Sequence, residues 1–222
     1  MITVHHLNNS RSQRVLWLLE ELGVSHQVKH YQRGPDMRAP AELRQVHALG
    51  KSPVITDGDL TIAETGAVIE YLLETYGQGR FVPPAGTPQK LRFTYWLHYA
   101  EGSAMPLLLL KLIFMRMPRG APAVMRPLVN VIAGKALRTL VDPQLAQHMR
   151  YWCDELDRNG GWFAGPEFSA ADIMMSFPVE AAAARAGMDD SHAPLRDFLA
   201  RIHARPAYKR ALETGGPYAL MK

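Results

Sequence analysis

Three short stretches of this chain place a polar side chain where the backbone changes direction. Asn9-Ser10 closes a short alternating segment just before a helical stripe, so an amide and a hydroxyl sit at a helix start. Ser52-Pro53 precedes a hairpin signal; an X-Pro bond tolerates the cis form, and a tight turn there can aim backbone groups outward. Glu64-Thr65 falls between that hairpin and the next helix. A hydroxyl and free backbone N–H groups at a helix N-terminus suit a carboxylate, and the neighbouring Glu suits an ammonium. Brought together, these are the parts that hold a peptide-like ligand.

Other candidates have plainer readings. Cys153 is the single cysteine, so it forms no internal disulfide; it lies on a buried helical stripe and reads as a packed thiol. His5 and His6 are consecutive on a strand, face opposite ways and make a poor metal pair, so no metal site is expected. Ser169-Ala-Ala-Asp172 has the spacing of a capping box, which gives Asp172 a structural role. Ser10-Arg-Ser-Gln13 has that spacing too, so Ser10 has two readings, a donor to a ligand or simply a helix start.

The elements that must position these residues are set by periodicity. Ile2, Val4 and His6 alternate with Thr3, His5 and Leu7, which predicts a strand. From Ser12, the stripe Val15, Leu16, Leu18, Leu19 and Leu22 predicts a helix ending at Gly23. A second strand is expected around Val24 to Tyr31, and strand–helix–strand at this spacing means a parallel pair with a right-handed crossover. A loop from Arg33 to Pro40 leads to a short helix over Ala41 to Leu49, stopped by Gly50. Val54-Ile55 and Leu60 to Ile62 flank Thr56-Asp57-Gly58-Asp59, a hairpin signal, and Thr65 is expected to cap the helix carrying Val68, Ile69, Leu72 and Leu73. The order is βαβ, then α, then ββα.

Residues 79–90 are rich in Gly and Pro and read as a linker between a domain of residues 1–78 and an all-helical domain of residues 91–222. Leu91 to Met117 reads as one long helix, interrupted or bent near Pro106, and Pro118, Pro122, Pro127 and Pro143 are expected to divide the next stretch into shorter segments. Leu145, Met149, Trp152 and Leu156 form a clear buried stripe, and the last helices are expected over Pro194 to Arg205 and Ala207 to Thr214.

Charge is uneven. Residues 1–76 carry 7 Lys/Arg and 9 Asp/Glu, and residues 77–222 carry 18 and 12, so the formal +4 arises entirely in the second part. Lys111, Arg116, Arg119, Arg126, Lys135 and Arg138 lie between Glu101 and Asp142 with no acid among them. No aromatic interleaving or nucleic-acid motif accompanies them, so a solvated face is expected, with a rim for anionic substrates as second reading. The N-terminus has no signal-peptide pattern and the longest apolar run, Met105 to Leu110, is too short to span a bilayer. The expectation is a cytoplasmic protein without membrane insertion.

Four segments, Leu7-Asn-Asn-Ser-Arg-Ser-Gln-Arg14, Leu49-Gly-Lys-Ser-Pro-Val54, Ala63-Glu-Thr-Gly66 and Trp162-Phe-Ala-Gly-Pro-Glu-Phe-Ser-Ala-Ala-Asp172, together resemble the cytosolic glutathione transferase superfamily across essentially the whole chain. The likeness is to bacterial and fungal serine-type members. It implies an α+β thioredoxin-like domain with a mixed four-stranded sheet, followed by a helical bundle. It also implies glutathione as co-substrate with no further cofactor, a hydrophobic electrophile as second substrate, and a homodimer.

On that resemblance Pro53 is cis and the backbone of Ser52 pairs with the cysteinyl part of glutathione. Glu64 and Thr65 receive the γ-glutamyl end, and Lys51 and Arg38 are assigned to the glycyl carboxylate. Ser10 stabilises the thiolate, with Asn9 as the alternative donor. Ser52 stands where most relatives have an apolar residue. Arg11 is expected to point into solvent, and Tyr95, Trp96, Tyr99 and Met105 either line an acceptor pocket or belong to the core. The implied activity is thiol transfer to an electrophile, with peroxidase activity as a companion. Glutathione-dependent disulfide or peroxide reduction and non-catalytic ligand binding are the alternatives.

Overall fold

The computed structural model describes residues 1–36, 38–216 and 218–221. Strand β1 (Ile2–Leu7) pairs in parallel with β2 (His26–Tyr31) and antiparallel with β3 (Val54–Asp57), which pairs with β4 (Leu60–Ala63). The sheet order β2-β1-β3-β4 is the mixed four-stranded arrangement expected. Asp57 pairs with Leu60 across the hairpin, and Gly58 adopts the positive φ of 56° that so short a connection requires.

Helix α1 (Ser12–Leu22) buries the stripe Val15, Leu16, Leu18, Leu19 and Leu22, and ends at left-handed Gly23. Helix α2 spans only Leu43–Val46, not Ala41 to Leu49; Leu43 is its one buried residue, and so little apolar surface anchors one turn. Helix α3 (Thr65–Tyr76) buries Val68, Ile69, Leu72 and Leu73. Thr65 is its first helical residue and not its cap. Glu64 occupies the cap position with φ 73° and no side-chain capping bond. The Ser10–Gln13 capping box does not form either, because Arg11 takes the cap position of α1.

Beyond the connection, α4 (Pro88–Tyr99) runs through a wider π-helical stretch, Ala100–Ala104, into α5 (Met105–Gly120). Helix α6 (Arg126–Ala136) similarly passes through Leu137–Val141 into α7 (Asp142–Arg158). Each widened turn comes just before an X-Pro pair, Met105-Pro106 and Asp142-Pro143. Proline lacks the N–H for the regular helical bond and its ring crowds the carbonyl four residues back. The wider turn absorbs both conflicts, so the helix continues through Pro143 where a break was expected.

Helices α8 (Ala170–Ala186), α9 (Ala193–Ala204) and α10 (Pro206–Gly215) complete the bundle. The core is shared between the two parts: α1 packs on α10 and α8, and Trp17, Trp96 and Trp152 are fully buried. Asp172 starts α8 as expected, accepting from the Ser169 and Phe163 N–H groups, each at 2.8 Å. Cys153 is buried, and His5 and His6 bond to different partners, Tyr31 and Ser12. Among the described residues no helix is long and apolar enough to cross a membrane, and no His/Cys/Asp/Glu group could hold a metal ion.

Candidate active site

The β1–α1 connection carries the centre of the site. Asn9 adopts φ 52°, a left-handed conformation that asparagine tolerates better than most residues, and this turns the chain so that Ser10 faces inward. Ser10 is 5% exposed and its Oγ lies 2.7 Å from Ser12 Oγ and 3.4 Å from Ser52 Oγ. Ser12 Oγ in turn lies 2.9 Å from His6 Nδ1. Burial first, and then the neighbouring His30, lower the His6 pKa to about 4, while a hydrogen bond to the Gly215 backbone opposes the shift. His6 is therefore neutral at pH 7 and Ser12 donates to it, which leaves Ser12 Oγ to accept from Ser10. The Ser10 hydroxyl thus ends a hydrogen-bonded chain that runs through Ser12 to His6.

Ser52 is held beside it. Its peptide bond to Pro53 is cis, and its hydroxyl donates to the His5 carbonyl at 3.0 Å. A groove of about 110 Å3 runs past Lys51, Ser52, Pro53, Glu64 and Thr65, with Arg11 at one side. It shares Arg11, Leu49, Lys51 and Ser52 with a larger cleft of about 460 Å3, which Asn9, Ser10 and Arg38 also line. The structure therefore brings all eight sequence-predicted site residues to the lining of these two depressions, which share Lys51 and Ser52. Their settings differ. Glu64 and Lys51 are exposed, Thr65 is buried, and the Arg38 side chain is 84% exposed, 3.7 Å from Asp36. Asn9 uses its Oδ1 to accept from the Ala219 N–H at 2.7 Å, which leaves its amide N–H groups as donors.

Arg11 does not point into solvent. It pairs with Glu101 at 2.7 Å, and Arg14, 1% exposed, binds the other oxygen of the same carboxylate. Arg14 also donates to the Met174 carbonyl at 2.8 Å and to Thr65 Oγ1 at 3.4 Å. Burial alone pushes the Glu101 carboxyl up, but Arg14, Arg11 and the Thr65 hydroxyl outweigh it and hold it below the usual range. Glu101 lies in the widened turn between α4 and α5 and reaches the start of α1 from there. The helical part is thereby clamped onto the two N-terminal segments that carry Ser10 and Thr65.

The opposite wall is Met105, Leu109, Leu112, Phe177 and Arg185. Of the aromatics and methionine expected to line an acceptor pocket, Met105 alone is there. Trp96 is fully buried in the core, and Tyr99 bonds to His148 and Trp152. Tyr95 faces outward, away from the cleft lining.

Several participants were not anticipated: Ser12, His6, Glu101, Phe177 and Arg185. Arg14 did carry a signal, since it shares a helix face with Leu18 and Leu22 and a cation there demands a buried partner. Nothing local marks Glu101 as that partner.

Comparison with known proteins agrees with the architecture. The family description "Glutathione S-transferase, N-terminal domain" matches residues 1–74. Glutathione S-transferase 3 of Schizosaccharomyces pombe is 34% identical over 218 residues, covering 96% of this chain and 87% of that protein. Glutathione S-transferase 1 of Saccharomyces cerevisiae is 28% identical over 221 residues, covering 96% and 94%. The crystal structure of a glutathione S-transferase from Actinobacillus pleuropneumoniae superposes with a TM-score of 0.76 at 29% identity, covering 100% of this chain and 96% of that one. Identity above 30% along nearly the full length, on the same two-part fold, places this chain in the glutathione S-transferase family.

Proposed function

We propose that this transferase binds glutathione along the groove past Lys51, Ser52, Glu64 and Thr65 and activates its thiol at Ser10. The observation that carries the reading is that the groove and the cleft share Lys51 and Ser52, with Ser52 Oγ 3.4 Å from Ser10 Oγ, so a tripeptide laid along Ser52 brings its cysteine to the hydroxyl. Glu64 takes the γ-glutamyl ammonium, the start of α3 at Thr65 takes its carboxylate, and Lys51 with Arg38 takes the glycyl end. A free thiol has a pKa of ~8.5. Lowering it by ~2 units requires about 2.7 kcal/mol of differential stabilisation. A hydroxyl donating to sulfur at a helix start is a source of that scale. The thiol proton leaves to solvent. The thiolate then forms an S–C bond to the electrophile as the leaving group departs with its electron pair.

Ser10 must rotate away from Ser12 to donate to sulfur. That cost favours a second reading in which Asn9, its oxygen already occupied by Ala219, donates through its amide. Attack of the same thiolate on a peroxide oxygen is the companion activity. Homodimeric assembly and a cytoplasmic location belong to this reading; an unpaired buried Cys153 fits a reducing compartment.

Steady-state assays with a chloronitrobenzene, an organic hydroperoxide and a small disulfide test it. With Ser10→Ala, kcat/KM for the nitrobenzene falls at least about tenfold, the equivalent of one charge-assisted hydrogen bond. Unchanged rates transfer the role to Asn9, whose alanine variant then shows the loss. Absence of glutathione binding by calorimetry ends the reading altogether.

A further inference from the structure

The larger cleft has a one-sided charge. Arg11, Arg33, Arg38, Arg44, Lys51 and Arg185 line it, and among the described residues no carboxylate does. Most of these cations are engaged or stand on the glutathione side. Arg11 is paired with Glu101, Arg38 faces Asp36, and Arg33 donates to the Asn8 carbonyl. Lys51 belongs to the groove past Pro53, and Arg44 lies on α2.

Arg185 is different in position and in company. It comes from the last turn of α8, on the far side of the cleft, among Met105, Leu109, Leu112 and Phe177. It is half-buried, and its hydrogen bond is from Nη1 to the Leu108 carbonyl at 3.0 Å, with no carboxylate partner among the described residues. A guanidinium carries five N–H donors in a fixed fork that matches a carboxylate, and one carbonyl leaves most of them unused. A cation set in an apolar wall without a counter-ion is expensive unless something else supplies the negative charge.

We propose that the acceptor conjugated by this enzyme carries a carboxylate, and that Arg185 receives it while the apolar wall holds the rest of the electrophile. The proposal rests on the transferase reading above and deepens it by naming a substrate class. Burial, together with Arg116 and Arg11 nearby, already pushes the Arg185 guanidinium below its ordinary value, with Tyr218 opposing. A bound anion offsets these contributions by direct attraction. The carboxylate has two chemical sources, a small anionic electrophile or the glutathionyl part of a disulfide.

The test compares substrates that differ only in that charge: 4-chloro-3,5-dinitrobenzoate and its methyl ester, with rates normalised to their uncatalysed reaction with glutathione. Wild type favours the carboxylate. Arg185→Gln, which retains a donor for the Leu108 carbonyl, lowers the carboxylate-to-ester ratio of kcat/KM by about tenfold, mostly through KM, the scale of one charge-assisted hydrogen bond. Arg185→Lys restores part of the ratio. An equal fall for both substrates, or an unchanged ratio, overturns the proposal.

A binding arm keeps the question separate from turnover. The unreactive 3,5-dinitrobenzoate and its methyl ester are titrated by calorimetry into protein holding S-methylglutathione, alongside glutathione disulfide. Loss of anion affinity in Arg185→Gln with ester affinity retained supports the proposal even if wild type conjugates neither chloro compound, a result that counts against the transferase reading alone. An Arg185-dependent disulfide with an Arg185-independent benzoate assigns the carboxylate to a second glutathione. If neither anion depends on Arg185, the site is refuted.

Discussion

The N-terminal wall of the cleft meets its ligand with side chains already tied to one another, whereas the helical wall offers smooth apolar surface and a single cation. Ser10, Ser12 and His6 form one bonded chain, and Ser52 is fixed by the His5 carbonyl. Facing them, Met105, Leu109, Leu112 and Phe177 have no polar group to orient a ligand, and among the described residues of that wall Arg185 alone supplies direction. A polar wall of this kind recognises one molecule by many fixed partners. An apolar wall with one charged anchor accepts many shapes, provided each brings the matching charge. The two are held in register by Glu101, a helical-domain carboxylate whose partners lie at the start of α1.

That clamp gives the largest expected effect. Removing Glu101 leaves Arg14 buried without its counter-ion, which costs about 3 kcal/mol, the low end for a broken buried pair because Glu101 is partly exposed. Urea unfolding of Glu101→Ala measures it, and glutathione affinity falls with it because Thr65 loses its neighbours. A loss below about 1 kcal/mol means that the walls are joined by apolar packing alone.

The bonded character of the N-terminal wall predicts a pH response. The folded-state pKa of His6 is about 4, below its ordinary 6.5, so between those values the unfolded chain takes up a proton that the folded one refuses. Stability is therefore fully present above pH 6.5 and declines as pH falls toward 4, by about 3 kcal/mol at most from this residue. His6→Gln flattens that part of the stability–pH curve. The same slope in the variant assigns it to other groups and breaks the account of His6 as the neutral end of the chain.

The smallest effects distinguish residues within the wall. Glu64→Ala weakens glutathione binding by about tenfold and Lys51→Ala by roughly two- to threefold, since the flexible Lys51 ammonium is more easily replaced by water. Calorimetric titrations of both variants decide; equal losses contradict the ranking.

Much of this was legible in the chain. The stripe of α1, the hairpin at Gly58 and the capping pair Ser169–Asp172 stand where periodicity and turn chemistry put them. The elements misjudged are those whose extent the local pattern leaves open. Helix α2 shrinks to Leu43–Val46 because little packs on it, and the helix through Pro143 continues because a widened turn accommodates the ring. Tyr95, Trp96 and Tyr99 carried no mark of the side they would face, since an aromatic at helical spacing suits a core and a pocket equally.

The sequence by itself determined the order of elements and which residues could meet a peptide. Strands, helices and caps are written in neighbours two to four positions apart, and Asn9-Ser10, Ser52-Pro53 and Glu64-Thr65 each stand at such a local junction. Only the tertiary structure decided what those residues touch. Arg14 finds Glu101 across 87 positions, Asn9 finds Ala219 across 210, and Arg185 arrives opposite Ser10 from the end of a distant helix. The reason is physical: each pairing is set by how buried helices pack, and no local pattern records which polar group will be waiting when they do.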